Sequence, residues 1–394
     1  MNLNRGTIER IGDRAAVCEP LPDLEQLLAP AFVPSRWIIG GHLQSVLSLR
    51  ARDVKPLRPI LRWVSLADGD RLAMLDDAPI HWRPGDASLL IVHGLCGCSQ
   101  APYMLRLASR FTAQGVRVFR LNLRGCGAGL GAASQITHAG RSDDVVAALE
   151  SVAELTQGGP ISAVGVSLGG NQLLRAMGLA ANDVAGNRWH DRIDRIAAIS
   201  PPIDLKRCSD NMERRVLRPY NRYFIRHLLD RAPEALRTNE IMVEAVRRPP
   251  RTMRELDDRV TAPLAGFKSG EDYYHRTGAI RVMDHIAVPT LILTAADDPI
   301  VPVACFHPTD GSHWPDSVRL LITRRGGHVG FIGRGEQRHW MDGLLDRWFE
   351  FVRHRSQVAI LKPDLASRHA NSRPVSTFEY ARQHASPTSG VPVG

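Results

Sequence analysis

The chain has 394 residues, 44% of them hydrophobic and 23% charged, which fits an ordinary globular protein with a full core in one large domain or two. No apolar run reaches the roughly 18 residues of a membrane span, so no integral membrane segment is expected. The net charge is +9, but the excess lies in two places: residues 353–394 carry six Lys/Arg against two Asp/Glu, and residues 204–286 carry seventeen against thirteen. Neither stretch interleaves aromatics or holds a nucleic-acid motif, so the reading is an Arg-rich solvated surface and no nucleic-acid partner.

Residues 1–35 have dispersed charges and no apolar leader core, so they predict a segment wrapping the surface and not a signal peptide; the cytoplasm is the expected compartment. Residues 36–50 predict a turn and a short helix. His42 and Gln44 there either line a pocket or satisfy backbone groups. Residues 60–78 hold two strand-like runs around Asp68-Gly69-Asp70 and predict a hairpin. Residues 88–92 are a continuous apolar run suited to a buried parallel strand, and they end at His93-Gly94-Leu95. A helix over 101–114 and a strand over 116–121 follow, the latter ending at Arg124-Gly125-Cys126-Gly127.

Another helix is expected from about 142 to 157, with Ser142 or Asp143 as a fitting N-cap and Val145, Leu149 and Val152 on its buried face. Residues 161–180 then read strand, sharp turn, helix, with Gly165-Val166-Ser167-Leu168-Gly169 at the turn. A serine there is held with its hydroxyl exposed, and the flanking glycines remove the Cβ atoms that would clash where the chain doubles back. The helix N-terminus aims free N–H groups at that hydroxyl. A strand over 193–203 comes next. From 204 to 286 the alternation stops: the stretch is helical in character, charged and interrupted by Pro219, Pro233, Pro249 and Pro250, which predicts a helical insert. Strands resume at 289–294, ending in Asp297-Asp298-Pro299, and at 318–323, ending in Gly326-Gly327-His328. An amphipathic helix over 338–354 closes the core, and residues 356–394 predict a mobile tail. The domain reading is a core over 36–203 and 287–355 with 204–286 as a cap. Weak attraction of the basic tail to anionic lipid stays open, although the tail has no clustered basic run.

Six cysteines stand at 18, 96, 98, 126, 208 and 305. With no secretory signal and no second pair to match Cys96-Gly97-Cys98, they are read as reduced thiols that hold no metal. No phosphate-binding or dinucleotide fingerprint occurs, so no cofactor is implied.

Repeated strand–loop–helix order predicts an α/β fold with a mostly parallel, doubly wound sheet, whose site lies outside the carboxyl ends of the strands. Ser167, Asp297-Asp298 and His328 each follow such a strand. Their order of Ser, Asp, His is the α/β-hydrolase order. A serine hydroxyl becomes a useful nucleophile when a neutral imidazole accepts its proton, and a carboxylate fixes the imidazole's tautomer. Asp298 is the expected acid and Asp297 the fallback. The backbone N–H groups of Leu168 and Leu95 are the expected oxyanion donors. His93, Gly94 and His42 are read as substrate-binding positions.

Gly41-His42-Leu43-Gln44-Ser45, His93-Gly94-Leu95, Arg124-Gly125-Cys126-Gly127, His138-Ala139-Gly140-Arg141-Ser142-Asp143-Asp144, Gly165-Val166-Ser167-Leu168-Gly169-Gly170-Asn171 and Asp297-Asp298-Pro299 together resemble the YheT-like branch of the α/β-hydrolases, over about residues 34–354. The eukaryotic relatives in that branch are lipid and acyl-ester hydrolases, some with acyltransferase activity. The resemblance implies Ser167, Asp298 and His328 as a catalytic triad. Ser45 departs from it mildly, standing where Thr is more usual, and the tail after 362 has no counterpart. His138 and Asp143 also make an H-x-x-x-x-D spacing used by some acyltransferases; the competing reading is a loop histidine and a helix cap. The expected activity is serine-dependent hydrolysis of a small-molecule acyl ester through an acyl-enzyme. The alternatives are acyl transfer to an alcohol, or a non-catalytic binding protein on the same fold.

Overall fold

The computed structural model describes residues 27, 30–50, 57–181, 189–307 and 314–349. The apolar runs become an eight-stranded sheet in the order β1-β2-β4-β3-β5-β6-β7-β8. Its members are β1 Ile60–Ser65, β2 Arg71–Asp77, β3 Ser88–Val92, β4 Arg117–Leu121, β5 Ile161–Val166, β6 Ile193–Ile199, β7 Thr290–Ala295 and β8 Val318–Thr323. β1 and β2 form the expected antiparallel hairpin, and β2 also runs antiparallel to β4. Every other pairing is parallel, as the α/β reading requires.

Strand pleating explains the two-sided core. Successive side chains point to opposite faces, so a strand buried on both faces is either apolar along its length, as β3 is after Ser88, or pairs its charges, as Arg117 and Arg120 of β4 do with Asp76 and Asp77 of β2. In β3, Leu90 and Val92 join one hydrophobic cluster while Leu89 and Ile91 join the other. The first cluster is completed by helices α3 (Ser142–Thr156) and α4 (Leu168–Ala180) through Val145, Leu149, Leu173 and Met177. The second is completed by α2 (Pro102–Thr112) through Met104, Leu107 and Phe111, and by the closing helix over 340–349 through Trp340, Leu344 and Trp348. Ahead of the sheet, α1 (Gly41–Ser48) is the short helix expected in 36–50.

Two local readings differ from the structure. Arg141, not Ser142 or Asp143, occupies the N-cap of α3 and makes no side-chain cap bond. The helix starts at Ser142 because Asp144 must turn inward, where it pairs with buried Arg124 through both oxygens at 2.8 Å. Pro219 does not interrupt a helix: it lies in the first turn of α6 (Arg218–Asp230), where its missing N–H costs nothing.

Between β6 and β7 the residues 204–286 form helices and no strand. They include α5 (Leu205–Met212), α6, α7 (Glu240–Arg247) and α8 (Gly270–Thr277), with a π-turn at Asp257–Thr261. Ile225, Met242, Leu256 and Val260 give them a small apolar core of their own. The stretch is tied where it leaves and returns: the Ile280 N–H donates to the Ile203 carbonyl at 3.1 Å. Most of 1–35 and all of 356–394 lie outside the described residues.

Candidate active site

β5 ends at Val166, α4 begins at Leu168, and Ser167 between them has φ 51° and ψ −120°. That is strained backbone for a residue with a side chain, held because the surroundings over-determine it. A Cβ on Gly165 would stand 2.5 Å from the Gly169 carbonyl oxygen, and one on Gly169 would stand 2.5 Å from the His93 carbonyl oxygen. The two glycines therefore let the helix start directly over the strand and against the loop after β3.

Ser167 Oγ lies 2.9 Å from His328 Nε2, and His328 Nδ1 lies 2.9 Å from Asp298 Oδ2. An ionised carboxylate only accepts, so Nδ1 carries the proton and donates. Nε2 is then the acceptor for the Ser167 hydroxyl. The other Asp298 oxygen, Oδ1, accepts the N–H groups of Ile300 at 2.8 Å and Val301 at 3.0 Å, which fixes the carboxylate plane. Asp297, the fallback acid, does something else: its Oδ1 accepts the Gly327 N–H at 2.8 Å, bracing the loop that presents His328. The three sequence elements thus meet at one edge of the sheet.

α1 supplies support for the His328 loop. Ser45 Oγ accepts the His328 N–H at 2.8 Å and donates to the Gly41 carbonyl at 2.7 Å. Gln44 accepts the Ile332 N–H at 2.8 Å and donates to the Ile332 carbonyl at 3.2 Å, the backbone-satisfying alternative raised for it. His42 is exposed and meets the Tyr220 hydroxyl at 3.2 Å, at the seam with the 204–286 helices.

His93, expected to touch substrate, is instead fully buried with both ring nitrogens engaged. Nε2 accepts the Leu123 N–H at 3.1 Å, so Nδ1 carries the proton and donates to the Gly94 carbonyl at 2.8 Å. Burial lowers its pKa to about 4, so the ring stays neutral. Its place is underneath the loop, shaping it. Gly94 itself passes close over Ser167: a Cβ there would lie 3.0 Å from Ser167 Cβ. Leu95 and Leu168 both line the cavity onto which Ser167 opens.

The H-x-x-x-x-D pair does not form a unit. Asp143 is mostly exposed with Arg141 4.0 Å away, whereas His138 is buried and accepts the Gly140 N–H on Nδ1 at 3.1 Å. Desolvation, with nearby Arg141 and Arg124, lowers the His138 pKa to about 3.

The cavity has a volume of about 190 Å³ and lies between the strand ends and the 204–286 helices. Its wall is mainly apolar, with Leu205, Met212, Phe224, Leu228, Met242 and Ile300 among the lining residues. One buried polar group stands out. Asp257 accepts the Tyr274 hydroxyl at 2.7 Å, and Tyr274 accepts from Ser209 at 2.9 Å. Burial raises the Asp257 pKa to about 6. Cys208 also lines the cavity, 3.6 Å from Cys305 between sulfurs; the five described cysteines are free thiols. Among the described residues no group of His, Cys, Asp and Glu could hold a metal ion, and no helix is long and apolar enough to cross a membrane.

A parallel sheet with a serine on a strand-to-helix turn, joined through histidine to an aspartate after a later strand, defines the α/β-hydrolase class. The family model and the sequence relatives agree. A family model described as serine aminopeptidase, S33, matches residues 83–306. YheT of Escherichia coli strain K12 is 30% identical over 80% of this chain and 92% of its own length. Phospholipase ABHD3 of Mus musculus is 26% identical over 79% of this chain and 76% of its own. The esterase Pf2001 of Pyrococcus furiosus aligns in structure with a TM-score of 0.47 and 16% identity, over 76% of this chain and 98% of that one. The chain belongs to the α/β-hydrolases of the YheT/ABHD type, and it is a hydrolase of esterase type.

Proposed function

We propose that the protein is a serine carboxylesterase acting on acyl esters through an acyl-enzyme. The observation that carries this reading is the unbroken relay from Ser167 Oγ through both nitrogens of His328 to Asp298, at 2.9 Å on each side. Ser167 attacks the ester carbonyl as its proton passes to His328 Nε2. Asp298 holds the tautomer and stabilises the imidazolium. The N–H groups of Leu168, at the free N-terminal end of α4, and of Leu95 receive the developing oxyanion. His328 returns the proton to the leaving alcohol, then draws one from water for deacylation.

The apolar cavity supports an acyl chain as the bound group, with the helices of 204–286 as a cap that shapes it. A relative named as a phospholipase supports lipid-like esters as the substrate class. His138 and Asp143 have different partners, which supports the hydrolase reading over a dedicated acyl-transfer motif.

The test is a set of initial rates on p-nitrophenyl esters from acetate to palmitate, with wild type and Ser167→Ala side by side. The expected result is a chain-length optimum that Ser167→Ala lowers by on the order of 10³-fold or more. A folded Ser167→Ala protein that keeps its rate within a few-fold sinks the acyl-enzyme reading.

A further inference from the structure

Helix α1 is built inside out. Its polar residues Gln44 and Ser45 are buried against the His328 loop, while its apolar side chains face outward, Val46 at 50% exposure. The segment entering and leaving the helix continues the pattern, with Trp37 89%, Ile39 74% and Leu49 59% exposed. Isolated exposed apolar residues need no explanation, but this many between residues 37 and 49 form a patch that something should cover.

The charges around the patch say what. Residues 30–50 contain no Asp or Glu. A surface depression beside Trp37 is lined by Arg36, Arg50, Arg334 and Arg338, with Arg106 deeper and no carboxylate in the lining. Arg106 is taken up by Asp342, but among the described residues the other four are in no ion pair; Glu336 is the one acid on the adjoining loop. An exposed tryptophan beside aliphatic side chains and unpaired arginines is the composition that seats a protein in the headgroup region of an anionic bilayer. A second copy of the chain fits worse, because a two-fold contact would set these four arginines against their own equivalents.

We propose that residues 33–50, together with the Arg334–Arg338 loop, are a docking face for an anionic phospholipid membrane. The face adjoins the cavity. His42 at its edge meets Tyr220 on α6, and the same helix lines the cavity with Phe224 and Leu228. Docking there would bring the cavity wall next to the lipid without moving the relay, which hangs from the opposite, polar side of α1.

The test is sedimentation of the full chain with vesicles of phosphatidylcholine alone, or containing about 30% phosphatidylglycerol, at low salt and at about 0.5 M NaCl. Wild type is expected to bind the anionic vesicles roughly tenfold better, and to come off in high salt. Trp37→Glu with Ile39→Glu should lose this binding while keeping its melting temperature and its rate on water-soluble p-nitrophenyl acetate. Arg334→Glu with Arg338→Glu should weaken it and flatten the salt dependence. No sedimentation of wild type overturns the proposal. So does binding that survives Trp37→Glu/Ile39→Glu, which would assign it to the basic tail. A wild-type dimer in light scattering that this double variant turns into monomers would give the face to a second copy. None of these readouts depends on catalysis, so failure here is separate from failure of the esterase reading.

Discussion

The backbone N–H of His328 is received by Ser45, a residue 283 positions earlier in the chain. Ser45 Oγ in turn donates to Gly41, so one hydroxyl joins the His328 loop to the first turn of α1. Removing it strands a part-buried N–H, at a cost of about 1–3 kcal/mol shared between stability and loop position. Ser45→Ala is expected to lower kcat about two- to tenfold with KM within about twofold, if half that energy falls on the relay geometry. Ser45→Thr, which keeps the hydroxyl, should restore most of it. A Ser45→Ala protein with a lower melting temperature but unchanged kcat would leave Ser45 a structural role only.

The two neighbouring aspartates separate by substitution. Asp298→Asn keeps the shape but favours the wrong histidine tautomer, so kcat should fall by on the order of 10³–10⁴. Asp297→Asn touches only the bond to Gly327 and should cost tenfold or less. Equal losses, or a larger loss at Asp297, would reverse the assignment of the acid.

Two glycine substitutions should fail in different ways. Gly165→Ala places a methyl 2.7 Å from the Gly170 Cα, and backbone on both sides leaves no room to relax. It should destabilise the fold by about 2 kcal/mol or more. Gly94→Ala meets Ser167 Cβ at 3.0 Å and the Val166 carbonyl oxygen at 3.2 Å, a milder contact that falls on the nucleophile itself. Its fold should persist while kcat/KM drops, read by thermal melts and rates on the same preparation.

Three buried groups contribute to the change of stability with acid. His93 has its pKa lowered to about 4 and His138 to about 3, both from 6.5. Below pH 6.5 the unfolded chain takes up protons that the folded chain refuses, so stability is complete above that pH and falls as pH drops toward 4. The slope is at most ~1.4 kcal/mol per pH unit for each group. Asp257 works the other way: with its pKa raised from 3.8 to about 6, it is protonated in the fold first and gains stability as pH falls through that window. Melting temperatures from pH 7.5 to 4.5 should therefore decline, less steeply in His93→Gln and more steeply in Asp257→Asn. A shallower decline in Asp257→Asn would contradict the sign.

The middle of the sheet was legible because strands such as β3 and β7 are buried on both faces and read as short, mainly apolar runs bounded by turn residues. The meeting of Ser167, Asp298 and His328 was legible for a related reason: each follows a strand, and parallel strands end on one side. The supports were not. Gln44 was read as able to satisfy backbone groups, and it does, but neither its partner Ile332 nor that of Ser45 was legible, because these bonds span nearly 290 residues and no local pattern announces them. His93 was read by its position after β3, which is right for the loop but says nothing about which way the ring turns. Asp257 was hidden because helix periodicity in 204–286 marks an apolar face, not which carboxylate faces it across the cavity. Arg141 displaced the expected cap because the buried Arg124–Asp144 pair sets where α3 begins.

The bond between Ile280 and Ile203 closes the neck of the 204–286 helices. The chain leaves the sheet and rejoins it at nearly one point, with Ser167 encoded before the detour and Asp298 and His328 after it. Phe224, Met242 and Tyr274 line the cavity from within the detour, so their substitution is expected to alter the pocket more than the relay. If the detour shapes the pocket while the sheet edge holds Ser167, Asp298 and His328, grafting another relative's detour onto this sheet is expected to change selectivity and leave the chemistry in place.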